Sequence, residues 1–149
     1  MNKPEHTPRI RSAQFKDQKI IQMLLSEFKL PLDGLENTKL WVLEIGIGNV
    51  VAVAGLEVYE KQGLLRSVVV NKTFQGNGYG TSLVNYVVEE ARRKGMHELF
   101  LLTTTTPNFF RKSGFIEFSR EKVIGSIVES VEFKSACPKT AILMRLALT

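Results

Sequence analysis

The run Leu64-Leu65-Arg66-Ser67-Val68-Val69-Val70-Asn71-Lys72-Thr73-Phe74-Gln75-Gly76-Asn77-Gly78-Tyr79-Gly80-Thr81 decides how the chain folds. Its first part, residues 64–70, is rich in Leu and Val and reads as a buried strand. Residues 71–80 carry Gly76, Gly78 and Gly80 and read as a loop. Beyond it, Leu83, Val84, Val87, Val88 and Ala91 fall on one side of a helix over residues 81–94. Gly95 follows, at the left-handed position where helices end. Strand, glycine loop and helix in that order make an anion site. Glycines turn the backbone sharply and aim N–H groups at one point. The helix N-terminus adds free N–H donors and positive potential, which suits a phosphate.

Working outward, residues 99–103 are a further buried strand, so strand, helix and strand form a βαβ unit with its two strands parallel and its crossover right-handed. Before the unit, residues 40–47 and Val50–Tyr59 are Val-, Ile- and Leu-rich and read as an antiparallel hairpin turning at Gly46, Gly48 and Asn49. Gln62-Gly63 reads as a second turn. Ile20, Ile21, Leu24, Leu25 and Phe28 give one apolar stripe over residues 16–28, a helix that Asp17 is placed to cap. Residues 9–14 read as a short strand. After the unit, Thr106-Pro107 reads as the capped start of a short helix ending near Gly114. Residues 115–118 and 140–148 read as closing strands, with residues 120–134 between them partly helical. The fold class is therefore α/β: a single mixed, mostly antiparallel sheet with a central parallel βαβ unit, flanked by helices. One domain accounts for residues 1–149, with residues 1–8 as a loose tail.

Composition narrows the chemistry. Of 149 residues 44% are hydrophobic and 23% charged, enough apolar surface to offset the entropy of ordering. The lone cysteine, Cys137, excludes an intrachain disulfide and a cysteine zinc cage. With His6 and His97 the only histidines, no metal is expected. No apolar run is long enough to span a bilayer and no signal-peptide pattern opens the chain, so the expectation is a soluble cytoplasmic protein with no membrane partner. The net charge of +5 admits an anionic partner. Its densest run, Arg92-Arg93-Lys94, sits where cations complement a helix dipole and lacks interleaved aromatics, so no nucleic-acid partner is expected.

The glycine loop fits one known pattern fully. A phosphate loop of the Gly-Lys-Ser/Thr kind fails, because Gly80-Thr81 lacks the lysine. The dinucleotide fingerprint fails on spacing, G-x-G-x-G in place of G-x-G-x-x-G. Gln75, Gly78 and Gly80 satisfy Q/R-x-x-G-x-G/A. This resembles the pyrophosphate loop of the acetyl-CoA-dependent N-acetyltransferase (GNAT) superfamily. The likeness extends to residues 65–70 before the loop, to Phe109-Phe110-Arg111-Lys112-Ser113-Gly114-Phe115, and to the order of elements from Arg9 to Leu148. More narrowly, Gly55-Leu56-Glu57, Leu64-Leu65-Arg66-Ser67, Leu101-Leu102-Thr103-Thr104, Phe109-Phe110 and the late Ser130-x-Glu132-Phe133-x-Ser135-x-Cys137-Pro138 look like the arsenic-resistance (ArsN-type) N-acetyltransferases. Those in turn resemble the acetyltransferase domain of N-acetylglutamate synthases.

The resemblance implies acetyl-CoA as cosubstrate and a small-molecule amine as acceptor, the α-amine of an amino acid or of a glutamate-like, arsinyl or phosphinyl analogue. Backbone groups of Val68, Val69 and Val70 would receive the pantetheine arm as an added strand. Gln75, Gly76, Asn77, Gly78, Tyr79, Gly80 and Thr81 would hold the pyrophosphate. Many relatives protonate the leaving thiolate with a tyrosine; the matching position here is Phe110. Water, or a hydroxyl of Thr103, Thr104 or Tyr59, is the candidate substitute.

Two further anomalies are candidate catalytic residues. Glu57 is a carboxylate on an otherwise apolar strand, placed as a general base or as a partner of a cation. Arg66 is a guanidinium within a buried strand, costly without an anion, so it holds either a substrate carboxylate or Glu57 itself. His97 reads as a surface residue and Trp41 as core. Cys137 reads as a half-buried thiol or a pocket-lining one. Competing functions are a protein lysine or N-terminal acetyltransferase and a non-catalytic acetyl-CoA sensor. Homodimerisation stays open.

Overall fold

Long β-branched runs interrupted by tight turns become adjacent antiparallel strands, because each strand buries its alternate side chains against the next layer. The computed structural model describes residues 7–136 and 139–148. Its strands are β1 (Pro8–Ser12), β2 (Lys39–Ile45), β3 (Val50–Tyr59), β4 (Gln62–Val70), β5 (Glu98–Thr103), β6 (Ile116–Glu117) and β7 (Ile142–Ala147). They form one seven-stranded sheet in the order β1-β2-β3-β4-β5-β7-β6. Only β4 and β5 run parallel; the other pairings are antiparallel. The helices are α1 (Gln18–Glu27), α2 (Tyr79–Arg93) and α3 (Pro107–Arg111). The mixed sheet with its central βαβ unit is the expected fold class.

Both faces of the sheet are covered. The apolar stripe of α2 packs Leu83, Val84, Val87, Val88 and Ala91 against Trp41, Leu43, Val51, Ala54 and Leu56. On the opposite face α1 brings Ile21, Leu24 and Leu25 onto Val42, Val53 and Val69. A third cluster joins Leu64, Phe100, Val123, Ile127 and Leu143 beneath the segment that precedes β7. Each such side chain taken fully from water contributes roughly 1.5–3 kcal/mol. Trp41 is core and His97 exposed, as read from the sequence.

Several boundaries move. Pro8, expected in a loose tail, opens β1 opposite Ile45. Ile47 lies in the turn after β2 and is fully exposed. Gln62 and Gly63 already pair with Tyr59 and Val58, so the turn is Glu60-Lys61, with Glu60 at positive φ. Asp17 occupies the N-cap position of α1 but makes no cap bond. Its carboxylate instead accepts the Gln14 N–H at 2.7 Å and both terminal nitrogens of Arg11, at 2.8 and 3.0 Å. Residues 120–134 are partly helical, as short 3-10 turns (Arg120–Lys122, Ser126–Glu129) and the start of a π turn (Glu132–Ala136). Cys137 and Pro138 lie outside the described residues.

Candidate active site

The site exists because β4 and β5 part company. Their parallel ladder holds only from Gln62↔Glu98 to Leu64↔Phe100. Beyond it β4 bulges. Val53 pairs with Val69 and Gly55 with Arg66, so Ser67 and Val68 together face Ala54. Ser67 takes a positive φ of 60° to make this bulge, a conformation non-glycine residues rarely adopt. The bulge carries β4 away from β5 and opens a cleft between Leu65–Val69 on one side and Leu101–Thr103 on the other.

Two cavities occupy that cleft. The first, of about 500 Å³, is lined by Val68, Val69 and Val70, by Gln75, Gly76, Gly78, Tyr79, Gly80 and Thr81, and by Phe109 and Lys112. Nearly every residue expected at a cofactor loop thus borders one space; Asn77 does not line it, and its side chain donates to the Phe74 carbonyl at 3.0 Å. Gln75 ties the loop to the strand, its Nε2 donating to the Val70 carbonyl at 3.1 Å. Gly78 sits at φ 80° at the N-cap of α2 with open space where a Cβ would stand. Gly80 is needed for a different reason: a Cβ there would lie 3.0 Å from Phe109 and 3.1 Å from Val70. The first N–H groups of α2 have no acceptor within the helix, and Tyr79, Gly80 and Thr81, which carry them, line this cavity. Lys112 is the one charged side chain among the described residues that lines it.

The second cavity, of about 360 Å³, lies on the other side of the cleft. Arg66, Ser67, residues 101–106, Glu132 and Ala141 line it. The structure brings Glu57 and Arg66 together: Arg66 Nη1 donates to Glu57 Oε2 at 2.7 Å. Arg66 Nε faces Ser67 Oγ at 3.1 Å and Glu132 Oε2 at 3.2 Å, and Nη2 donates to the Pro31 carbonyl at 3.2 Å. Glu57 itself does not line the cavity. Its Oε1 accepts the Tyr59 hydroxyl, and its Oε2 has Thr38 Oγ1 at 3.2 Å. Burial, with Glu57 beside it, pushes the Tyr59 hydroxyl's pKa upward, so that group stays protonated. Tyr59 borders neither cavity.

Glu132 is the residue the sequence left without a role. It is buried, pairs with Arg66 and is the one carboxylate among the described residues that lines the second cavity. Glu57 and Glu132 thus meet the buried guanidinium from two sides. Phe110 is buried at the meeting of the two cavities and carries no hydroxyl there. Among the described residues no group of three or more His, Cys, Asp or Glu could hold a metal ion, and no helix is long and apolar enough to cross a membrane.

A bulged strand, a glycine loop entering a helix and a cleft between parallel strands together define an acyl-coenzyme A transferase architecture. Residues 8–115 match the acetyltransferase (GNAT) family, and the chain belongs to that family. It is 37% identical over 71 residues to the amino-acid acetyltransferase of Ralstonia nicotianae, an alignment covering 46% of this chain and 16% of that one. The aligned stretch thus covers less than a fifth of the length of the curated relatives it matches. Its fold superposes on N-acetylglutamate synthase from Neisseria gonorrhoeae, solved with coenzyme A and N-acetyl-glutamate, at a TM-score of 0.81 and 25% identity, covering 96% of this chain and 35% of that one. A Mycobacterium tuberculosis protein solved in complex with CoA matches equally well, at TM-score 0.81 and 25% identity over 95% of this chain and 99% of its own.

Proposed function

We propose that the protein transfers the acetyl group of acetyl-CoA to the α-amine of a small amino acid or of an amino-acid analogue. The observation that carries this reading is the junction of the two cavities. One runs from the glycine loop along Val70 to Val68, and the other begins there and ends at Arg66 and Glu132. In this reading coenzyme A fills the first. Its pyrophosphate meets backbone N–H groups of Gln75, Gly76, Asn77, Gly78, Tyr79, Gly80 and Thr81, and its pantetheine arm pairs with the freed backbone of Val68, Val69 and Val70. The acceptor fills the second.

The reaction asks for a neutral amine, a positioned thioester and a stabilised oxyanion. The nitrogen attacks the acetyl carbon, the C–N bond forms, and the C–S bond breaks with its electron pair on sulfur. The Glu132 carboxylate at the cavity wall favours an ammonium in the acceptor cavity. Glu132 faces that cavity and takes its proton; Arg66 orients Glu132 and the acceptor; Glu57 holds Arg66 from behind. This moves the base one residue along the cluster from Glu57, because Glu57 has both oxygens engaged and no face on the cavity.

The small size of the acceptor cavity favours a free amino acid over a peptide chain. The amino-acid acetyltransferases among the relatives support the same acceptor class, and the late Ser130–Pro138 motif extends it to arsinyl or phosphinyl analogues. The test is free-thiol release from acetyl-CoA over a panel of glutamate-like amino acids, arsinyl and phosphinyl analogues, and lysine peptides. Turnover confined to the amino acids and analogues is expected. Turnover confined to peptides, or CoA binding without turnover, would replace this reading with a protein acetyltransferase or a sensor.

A further inference from the structure

Acyl transfer leaves a thiolate, and the charge must be met where it forms. We propose that Thr106 supplies that hydrogen bond, an inference that rests on the acetyl-transfer reading above. The two cavities share Phe28, Val68, Val69, Thr106 and Phe110. A thioester whose arm comes from the glycine loop and whose acyl carbon faces the acceptor must sit at that junction. Among the described residues there, only Thr106 carries a hydrogen-bonding side chain. Thr103 and Thr104 line the acceptor cavity alone, and Tyr59, bonded to Glu57, lines neither.

Thr106 is also released from the work its position normally does. It is the N-cap of α3, yet its side chain bonds to no helix N–H. Its Oγ1 lies 3.1 Å from Thr103 Oγ1, and Thr103 Oγ1 accepts the Thr106 N–H at 3.2 Å. Thr103 is buried at the end of β5, while Thr106 is exposed to the cleft. Either hydroxyl can donate across that contact; in the arrangement where Thr103 donates to Thr106, the Thr106 hydroxyl proton is left for a third partner. The sulfur is that partner. As the C–N bond forms and the C–S bond breaks, the electron pair moves to sulfur, and Thr106 Oγ1–H donates to it. The proton lost by the nitrogen then reaches the sulfur through solvent, giving the amide and the free thiol. A threonine hydroxyl is too weak an acid to surrender its proton, so its part is to stabilise charge.

The experiment compares wild type with Thr106→Val, nearly identical in shape, and Thr106→Ser, which keeps the hydroxyl. The expected result for Thr106→Val is a kcat lower by about tenfold with KM for acetyl-CoA unchanged, the size of one hydrogen bond to a charged group. Thr106→Ser restores most of the rate. A Thr106→Val enzyme with wild-type kcat overturns the proposal, and so does equal impairment of the Val and Ser variants, which marks a packing role. Both outcomes leave the acetyl-transfer reading standing. A wild-type protein that releases no thiol with any amine overturns that reading and this one together.

Discussion

Arg66 Nη1 donates to Glu57 Oε2 across 2.7 Å, from a guanidinium that has no exposed surface. A charge so placed is tolerable only with anions fixed around it. Glu57 provides one from the neighbouring strand and Glu132 another from the segment before β7. The pair therefore does two things. It anchors a loop far along the chain to the bulged strand, and it leaves Glu132 at the cavity wall.

Those two carboxylates should separate on substitution. Glu132→Gln should lower kcat about 100-fold, the lower end of the range for loss of a positioned base, and also cost stability because it contacts buried Arg66. Glu57→Gln should cost stability, on the order of 3 kcal/mol for a broken buried pair, and raise KM for the acceptor with a far smaller loss of kcat. Steady-state kinetics and chemical denaturation of both variants check this. Wild-type kinetics in Glu132→Gln would remove Glu132 from the mechanism.

The two helix-start glycines should fail differently. Gly78→Val places a side chain where the structure leaves open space, so it should fold at a cost of about 1 kcal/mol for its positive φ. Its affinity for coenzyme A should fall at least tenfold. Gly80→Val presses on Phe109 and Val70 and should lose both stability and affinity. Calorimetric titration with coenzyme A beside denaturant melts distinguishes them; undiminished affinity in Gly78→Val would contradict the loop's assignment.

Acid sensitivity should begin far from the cleft. The Arg11 guanidinium holds the Asp17 carboxyl and the Glu44 carboxyl below their ordinary range, bonding to Asp17 and, through Nε, to Glu44 at 2.5 Å. A depressed folded pKa gives stability that is complete above the unfolded value and lost as pH falls through the folded one. Unfolding free energy should therefore stay nearly level from pH 7 to about pH 5 and drop below about pH 4, where free carboxylates protonate. Urea melts across that range check it. Glu44→Gln should lower the plateau and make the acid slope shallower; an unchanged slope would show that other groups govern it.

Most of the fold was legible because it rests on local signals. Val-rich runs with Gly48-Asn49 between them state a hairpin, and Val70, the glycine loop and Leu83 state a strand, a turn and a helix. The shape of the glycine loop was legible for the same reason: it is set by its own backbone. What escaped depends on distant partners. Asp17 has a capping residue's identity and place, but Arg11 on β1 claims its carboxylate. Thr106 has a cap's identity too, and Thr103 claims its hydroxyl. Glu132 sits in a stretch of short 3-10 and π turns with no clean period, so nothing in its neighbourhood marks it as buried. Only the return of that stretch to Arg66 does. Glu57 and Arg66 were visible as misfits in apolar strands, since a buried charge is an anomaly in any context. Which of them faces the cavity was not visible, because that depends on the bulge at Ser67.

The central claim is that the second cavity receives an amino acid whose α-amine is acetylated. Mass spectrometry of the acceptor after incubation with enzyme and acetyl-CoA tests it most directly, using glutamate-like amino acids, their arsinyl and phosphinyl analogues, and lysine peptides in one competition. The account predicts one added acetyl group on the α-nitrogen of an amino acid or analogue, with peptides unmodified. Acetyl-CoA left intact, or acetyl found only on peptide lysines, would contradict it.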